Sequence, residues 1–243
     1  MNEAQIAKIV EQVVANLQTS PPTSAPSHRG APAIHLSPRP STGGRGVHAT
    51  VDQAIQAAQR AFSEFRECSI ADRSRYINAL RAVTLAELET IAQMAVSETG
   101  LGRYSDKLAK NRLVAEKTPG VEALIPQARS GDHGLTLTEW APYGVIGSIT
   151  PCTNPTETIL NNGIGMLAAG NVVVFNTHPA AKGVSAYFID RLNATIESEG
   201  GPSNLLNCVA DPTIESASAL MKHPAVRLLA VTGGGGVVKA AMT

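Results

Sequence analysis

The apolar positions of this chain follow one period near its start and another after residue 142, with a stretch in between that follows none. Ile6, Ile9, Val10, Val13 and Leu17 recur at helical spacing, opposite Lys8, Glu11, Gln12 and Asn16, so residues 1–18 are predicted to form an amphipathic helix. Such a short helix is marginal alone in water and needs a surface on which to bury its stripe. Residues 19–46 do not offer one. They carry Pro21, Pro22, Pro26, Pro32, Pro38 and Pro40 among Ser, Thr and Gly, the composition of an extended, disordered tether. The globular part is expected from Val47. A capping box at Thr50 and Gln53 opens a helix with Val51, Ile55, Ala58 and Phe62 on one side. Further helical stretches run from about Ile70 to Gly100, with a break around Thr84, and from about Asp106 to Lys117, ending before Pro119-Gly120.

The segment Leu135 to Trp140 alternates at period two and predicts an exposed antiparallel strand. After Pro142 short apolar runs alternate with helical stretches. Strands are expected at Val145–Ile149, Val172–Phe175, Leu205–Val209 and Val226–Val231. Helices are expected at Glu157–Ala169, Val184–Ser198, Thr213–Lys222 and after Gly233–Gly236. Continuous β-branched strands alternating with helices are the pattern of βαβ units, so the fold class is α/β with a doubly wound parallel sheet.

Composition narrows the picture. The chain has 243 residues, 43% of them hydrophobic but only 4% aromatic, so its core must be packed from aliphatic side chains. Lys+Arg and Asp+Glu are equal at 20 each, which argues against nucleic acid as a partner. No apolar run approaches the roughly 20 residues that cross a bilayer, and the N-terminus has no signal-peptide core. The three cysteines, Cys68, Cys152 and Cys208, are widely spaced and odd in number, which suits a reducing cytoplasmic setting better than a disulfide framework or a metal site.

In a parallel sheet, ligands bind beyond the carboxyl ends of the strands. Three such ends carry unusual residues. Thr150-Pro151-Cys152-Thr153-Asn154-Pro155 precedes a helix, and a carboxamide held there by its flanking prolines could stabilise an oxyanion. Helix capping by Asn154 and Thr156 is the plainer alternative. Asn176-Thr177-His178-Pro179 follows the next strand, where His178 is either a turn residue or a cofactor contact. Thr232-Gly233-Gly234-Gly235-Gly236 would let backbone amides approach a diphosphate, although it matches neither common phosphate-binding fingerprint. Cys152 sits in the first of these loops, but no histidine lies near it in sequence to activate it.

Several further motifs accompany these loops in order: Ser97-Glu98-Thr99-Gly100-Leu101-Gly102, Lys110-Asn111, Thr118-Pro119-Gly120-Val121-Glu122, Leu167-Ala168-Ala169-Gly170-Asn171 and His178-Pro179-Ala180-Ala181-Lys182. With the Thr150–Thr156 loop and Val231-Thr232-Gly233-Gly234, they make the chain from Val47 onward resemble the CoA-acylating aldehyde dehydrogenases of bacterial microcompartments. The resemblance implies oxidation of propionaldehyde or acetaldehyde with NAD to an acyl thioester on a cysteine, then transfer of the acyl group to coenzyme A.

By position, the resemblance gives Asn154 the oxyanion role and sets Ile149, Thr150, Pro151 and Cys152 along the nicotinamide. It sets His178 and Pro179 where the wider superfamily holds the adenosine ribose through a lysine-containing segment. Thr232, Gly233, Gly234 and Val237 fall at the diphosphate-contacting helix start. Cys152 departs from the subgroup, which often has serine there. The resemblance also implies that the nucleophilic cysteine would come after Thr243, that 135–140 is one strand of an oligomerisation sheet of a homo-oligomer, and that 1–18 is an encapsulation peptide binding a shell protein in the microcompartment lumen. Two functions follow for the chain itself: a part of an acylating dehydrogenase, or a nucleotide-binding and shell-docking module without turnover.

Overall fold

The computed structural model describes residues 43–243. The expectations for the helix 1–18, with its stripe Ile6, Ile9, Val10, Val13 and Leu17, and for most of the tether lie outside the described residues. The described fold includes residues just before Val47. Arg45 donates from its backbone to Asp190 at 2.7 Å and pairs through Nε with Glu197 at 2.8 Å. At Gly46 (φ +74°) a Cβ would stand 2.1 Å from the Leu206 carbonyl oxygen, so only glycine fits this close approach. A two-residue strand follows, β1 (Val47–His48), which the hydrophobic pattern is too short to reveal.

Helices α1 (Val51–Phe65), α2 (Ile70–Ala86), α3 (Leu88–Thr99) and α4 (Tyr104–Lys117) come next. Thr50 accepts from the Gln53 backbone N–H, and the Gln53 side chain accepts from Ala49, so the predicted start of α1 is found. The break between α2 and α3 falls at Glu87 rather than Thr84. The Thr84 hydroxyl donates to the Leu80 carbonyl one turn back at 2.7 Å, which keeps it inside the helix. Glu87 instead accepts from the Tyr187 hydroxyl and Arg191, about a hundred positions on.

Strands β2 (Gln127–Gly131) and β3 (Gly134–Thr138) form an antiparallel hairpin of their own, exposed at every position. Its second strand is the one expected at 135–140, ending two residues earlier. The first strand was not expected, because Gln127-Ala128-Arg129-Ser130 carries no apolar alternation.

The main sheet is built from β4 (Val145–Ile149), β5 (Val172–Asn176), β6 (Leu206–Val209) and β7 (Val226–Val231), with β1 on one edge. The order is β1-β6-β5-β4-β7, all parallel. The connecting helices are α5 (Pro155–Ala168), α6 (Lys182–Ser198), α7 (Ile214–Lys222) and the short α8 (Gly235–Ala241). Helices α5 and α6 cover one face and are backed by α2, α3 and α4, while α1 and α7 pack on the other. Every residue of β4, β5 and β6 is buried, which is why these strands read as mostly apolar runs. The doubly wound fold class is therefore found.

The strand order sets the place of the site. From β4 the chain steps through β5 to β6 in one direction, then crosses back to lay β7 on the other side of β4. Right-handed crossovers send the helices of the two directions to opposite faces, so a crevice opens at the carboxyl ends of β4 and β7.

Candidate active site

Ile149 pairs with Asn176 on one side and Val231 on the other, so the three loops singled out in the sequence leave the sheet next to one another. Backbone bonds continue past the strands: Thr150 donates to the Asn176 carbonyl at 3.3 Å and Thr232 to the Ile149 carbonyl at 3.0 Å. A cleft of about 350 Å³ opens at this crevice, with Asn154, Thr158, Asn161 and Asn162 from the α5 side, Lys110 from α4 and Thr232 from the end of β7 in its lining.

Asn154 occupies the cap position of α5 but makes no capping hydrogen bond, and Pro155 takes the first helical position, where a missing N–H costs nothing. Capping therefore does not explain the side chain. Its Oδ1 accepts from Lys110 Nζ at 3.2 Å. An ammonium can only donate, so this contact fixes which end of the carboxamide is oxygen and leaves the NH₂ as the free donor. The sequence suggested that the flanking prolines hold this side chain. They shape the backbone, but it is Lys110 that holds the amide. One turn earlier on α4, the buried Lys107 donates to the Thr153 carbonyl and lies 3.5 Å from Glu157 Oε1.

Cys152 is half-buried and packs against the cluster of Ala95, Ala181 and Val184, as Met94 does, which joins the β4 loop to the turn after β5. His178 Nδ1 accepts from the Ala180 N–H at 3.1 Å and caps the short 3-10 turn Pro179–Ala181. The ring is exposed, so this cap leaves its other nitrogen open. Thr150 and Thr177, at the ends of β4 and β5, are buried, with hydroxyls that find no partner among the described residues. Such groups are costly unless something else meets them.

The helix termini are not equivalent. The α6 terminus is closed by Glu98, whose carboxylate accepts from Gly183 and Val184 at 2.7 Å each. Gly183 permits this approach, since a Cβ there would lie 3.0 Å from the Glu98 oxygen. A negative charge already sits at this positive end, which leaves no place for a phosphate. The α7 terminus is closed by a Thr213–Ser216 capping box. Gly234, before α8, has no side-chain cap, and Cβ atoms at Gly234, Gly235 and Gly236 would meet open space.

Of the residues anticipated from sequence, Asn154 and Thr232 share the cleft lining. Ile149, Thr150, Pro151 and Cys152 form the neighbouring β4 end, His178 and Pro179 the β5 end, and Gly233, Gly234 and Val237 the turn after β7. Glu98 and Lys110 stand in motifs singled out above but were given no part in the site, and Lys107 and Glu157 were given none either. The available signal was the i, i+3 spacing of Lys107 and Lys110, which puts both ammonium groups on one face of α4. Cys208 lies in the core, where burial pushes its thiol up to about 12, far from a thiolate nucleophile.

The model of the aldehyde dehydrogenase family matches residues 42–243. This chain belongs to that family. It is 45% identical over 241 residues to the acetaldehyde dehydrogenase (acetylating) EutE of Salmonella typhimurium, covering 99% of this chain and 48% of that protein. It is 44% identical over 199 residues to the propanal dehydrogenase (CoA-propanoylating) of Citrobacter freundii, covering 82% of this chain and 43% of the relative. The structure superposes on Rhodopseudomonas palustris propionaldehyde dehydrogenase with bound propionyl-CoA at a TM-score of 0.80 and 51% identity, covering 82% of this chain and 44% of the other. A propionaldehyde dehydrogenase from a Clostridium phytofermentans fucose utilisation microcompartment gives the same TM-score of 0.80 at 49% identity, with 82% and 46% covered. The chain thus spans about half the length of the relatives it matches.

Proposed function

We propose that this chain is the cofactor-binding part of a CoA-acylating aldehyde dehydrogenase, which converts a short aldehyde, coenzyme A and NAD into acyl-CoA and NADH inside a bacterial microcompartment. The observation that carries the reading is the shared cleft at the switch of the sheet. Asn154, with its NH₂ free, stands in the same lining as Thr232, where the Gly-rich turn begins. One wall thus offers a donor for a developing oxyanion, and the other leads to uncovered amides suited to a diphosphate.

In this reading Ile149, Thr150, Pro151 and Cys152 line the nicotinamide side, and the unpartnered hydroxyl of Thr150 is a ready contact there. His178 and Pro179 border the adenosine ribose. Thr232, Gly233, Gly234 and Val237 take the diphosphate, because Glu98 already closes the alternative terminus at α6. NAD supplies the hydride acceptor when bound, and coenzyme A uses the same cleft in turn. Asn154 donates to the aldehyde oxygen as a thiolate adds to the carbonyl carbon.

None of Cys68, Cys152 and Cys208 is that nucleophile in this account. Cys208 is held as a thiol in the core, and Cys152 packs among apolar side chains. The 243 residues alone therefore bind cofactor without turnover, and catalysis requires a segment corresponding to the relatives' other half. Residues 1–18 dock the enzyme to a shell protein through Ile6, Ile9, Val10, Val13 and Leu17, and the exposed hairpin serves in a homo-oligomer.

The decisive assay is NAD reduction by the 243-residue chain with propionaldehyde and coenzyme A. The expected result is NAD binding without NADH formation. Turnover would place the nucleophile within these residues and overturn the division of labour proposed here. The second reading, a non-catalytic nucleotide-binding and shell-docking module without turnover, is favoured only by the half-length coverage. Acyl-CoA formation by a polypeptide extended to the relatives' length would refute it.

A further inference from the structure

We propose that Lys110 is a positioning residue for the reaction: it orients the Asn154 carboxamide and strengthens its NH₂ as an oxyanion donor, while Lys107 fixes the loop beneath it. The inference rests on the oxyanion role of Asn154 given above and names what makes that role possible.

Two ammonium groups from one face of α4 meet consecutive residues of the β4–α5 loop. Lys107 holds the backbone, donating to the Thr153 carbonyl and facing Glu157 at 3.5 Å in a buried pair. Lys110 holds the side chain, donating to Asn154 Oδ1 at 3.2 Å. Asn154 needs such help because its own helix gives it none: its side chain makes no cap bond, and its backbone (φ −138°, ψ 65°) is neither helical nor fully extended. Without Lys110, rotation by half a turn about the terminal bond would exchange oxygen for nitrogen in the cleft. An amide oxygen aimed at the substrate would repel a developing negative charge.

The cation also acts through the amide. An ammonium bound to the carbonyl oxygen draws electron density from the nitrogen, so the N–H groups become better donors. Hydrogen bonds polarise one another in this way along a chain. Lys110 lines the same cleft as Asn154, which leaves one rival: its charge could act on the oxyanion directly. A positioning role and a direct role differ in one respect. The positioning role vanishes when Asn154 is absent.

The test is a double-mutant cycle in a polypeptide extended to the relatives' length, read as kcat and KM for propionaldehyde. Asn154→Ala should lower kcat by about 10²–10³. Lys110→Met should lower it by about tenfold, with KM held within about twofold, and Lys110→Arg should restore most of the loss. Because the Lys110 side chain is exposed, the thermal midpoint should not move. In the Asn154→Ala background, Lys110→Met should cost nothing further. A second measurement uses the 243-residue chain: the side-chain NH₂ resonances of Asn154 should shift in Lys110→Met and return toward their original positions in Lys110→Arg.

An undiminished kcat in Lys110→Met, unmoved Asn154 resonances, or a full loss that persists in the Asn154→Ala background would each overturn the proposal. If Asn154→Ala itself leaves kcat intact, it is the oxyanion reading that falls.

Discussion

Lys107 and Glu157 face each other at 3.5 Å, with side-chain exposures of only 2% and 6%. This pair joins α4 to the first turn of α5 directly beneath the Asn154 loop. The ammonium also donates to the Thr153 carbonyl, so one charge ties a helix, a loop and a second helix together. Removing one member leaves the other charge buried and unpaired, a loss of about 3–5 kcal/mol. Lys107→Met should lower the stability measured by urea unfolding by that amount. The double variant Lys107→Met, Glu157→Leu should recover much of it, because two apolar side chains of similar volume need no partner. Equal instability of the single and double variants would show that the ion pair is not the tie.

The Gly-rich turn can be tested without disturbing the fold. Gly234 has φ −66° and ψ 160°, open to any residue, and a Cβ there meets no atom within 4 Å. Gly234→Val should therefore unfold at nearly the wild-type temperature. If the amides of this turn take the diphosphate, the added side chain blocks the approach, and calorimetric NAD affinity should fall by about tenfold or more. Unchanged affinity would move the diphosphate elsewhere.

The β2–β3 hairpin presents Leu135 and Leu137 at 71% and 59% exposure, beside Trp140 at 73%. It pairs with no strand of the main sheet. Apolar residues on an edge of this kind are covered in a working assembly or invite aggregation. If the hairpin serves in the proposed homo-oligomer, Leu135→Lys with Leu137→Lys should lower the mass of a polypeptide extended to the relatives' length, as read by light scattering, without changing the unfolding of a monomer. An unchanged mass would remove the hairpin from the interface.

His48 supplies a pH signature. Burial lowers its pKa below the ordinary 6.5, more than the hydrogen bond with Asn207 raises it, and the Arg60 charge lowers it further. Asn207 Nδ2 already donates to Val173 and Asn204, so its Oδ1 accepts from His48 Nε2. The folded state thus holds the ring neutral. Below about pH 6.5 the unfolded chain takes up a proton that the folded chain resists. The contribution of His48 is complete above that pH and is lost as pH falls toward the folded pKa. Urea titrations of wild type and His48→Gln should diverge across pH 7 to 5, with the variant showing the flatter dependence. Parallel curves would contradict this assignment.

Much of the fold was legible because buried parallel strands have a plain signature. Val172–Asn176 could hardly be anything but a central strand, and Thr50 with Gln53 announced α1. The features missed are those that depend on distant partners. Strand β1 exists only because Val47 and His48 pair with Cys208 and Val209. Strand β2 has no apolar alternation and is defined by its partner alone.

The site divided in the same way. Asn154 and the glycine turn stood out through local chemistry at strand ends. Lys110 stood in a motif, but its task did not show, because 44 positions separate it from Asn154. Nothing within a helix marks a lysine that reaches a loop of another layer. The role of Glu98, also in a motif, was hidden for the same reason, since it closes a helix that begins about 85 residues later.

The central claim is that these residues hold the cofactor and the oxyanion donor, while the thioester forms on a cysteine other than Cys68, Cys152 or Cys208. The most direct measurement is peptide mapping of a polypeptide extended to the relatives' length, after reaction with propionaldehyde and NAD in the absence of coenzyme A. The account predicts a propionyl group on a cysteine outside residues 1–243, released when coenzyme A is added. A propionyl group on Cys152, or on either of the other two cysteines here, would contradict it.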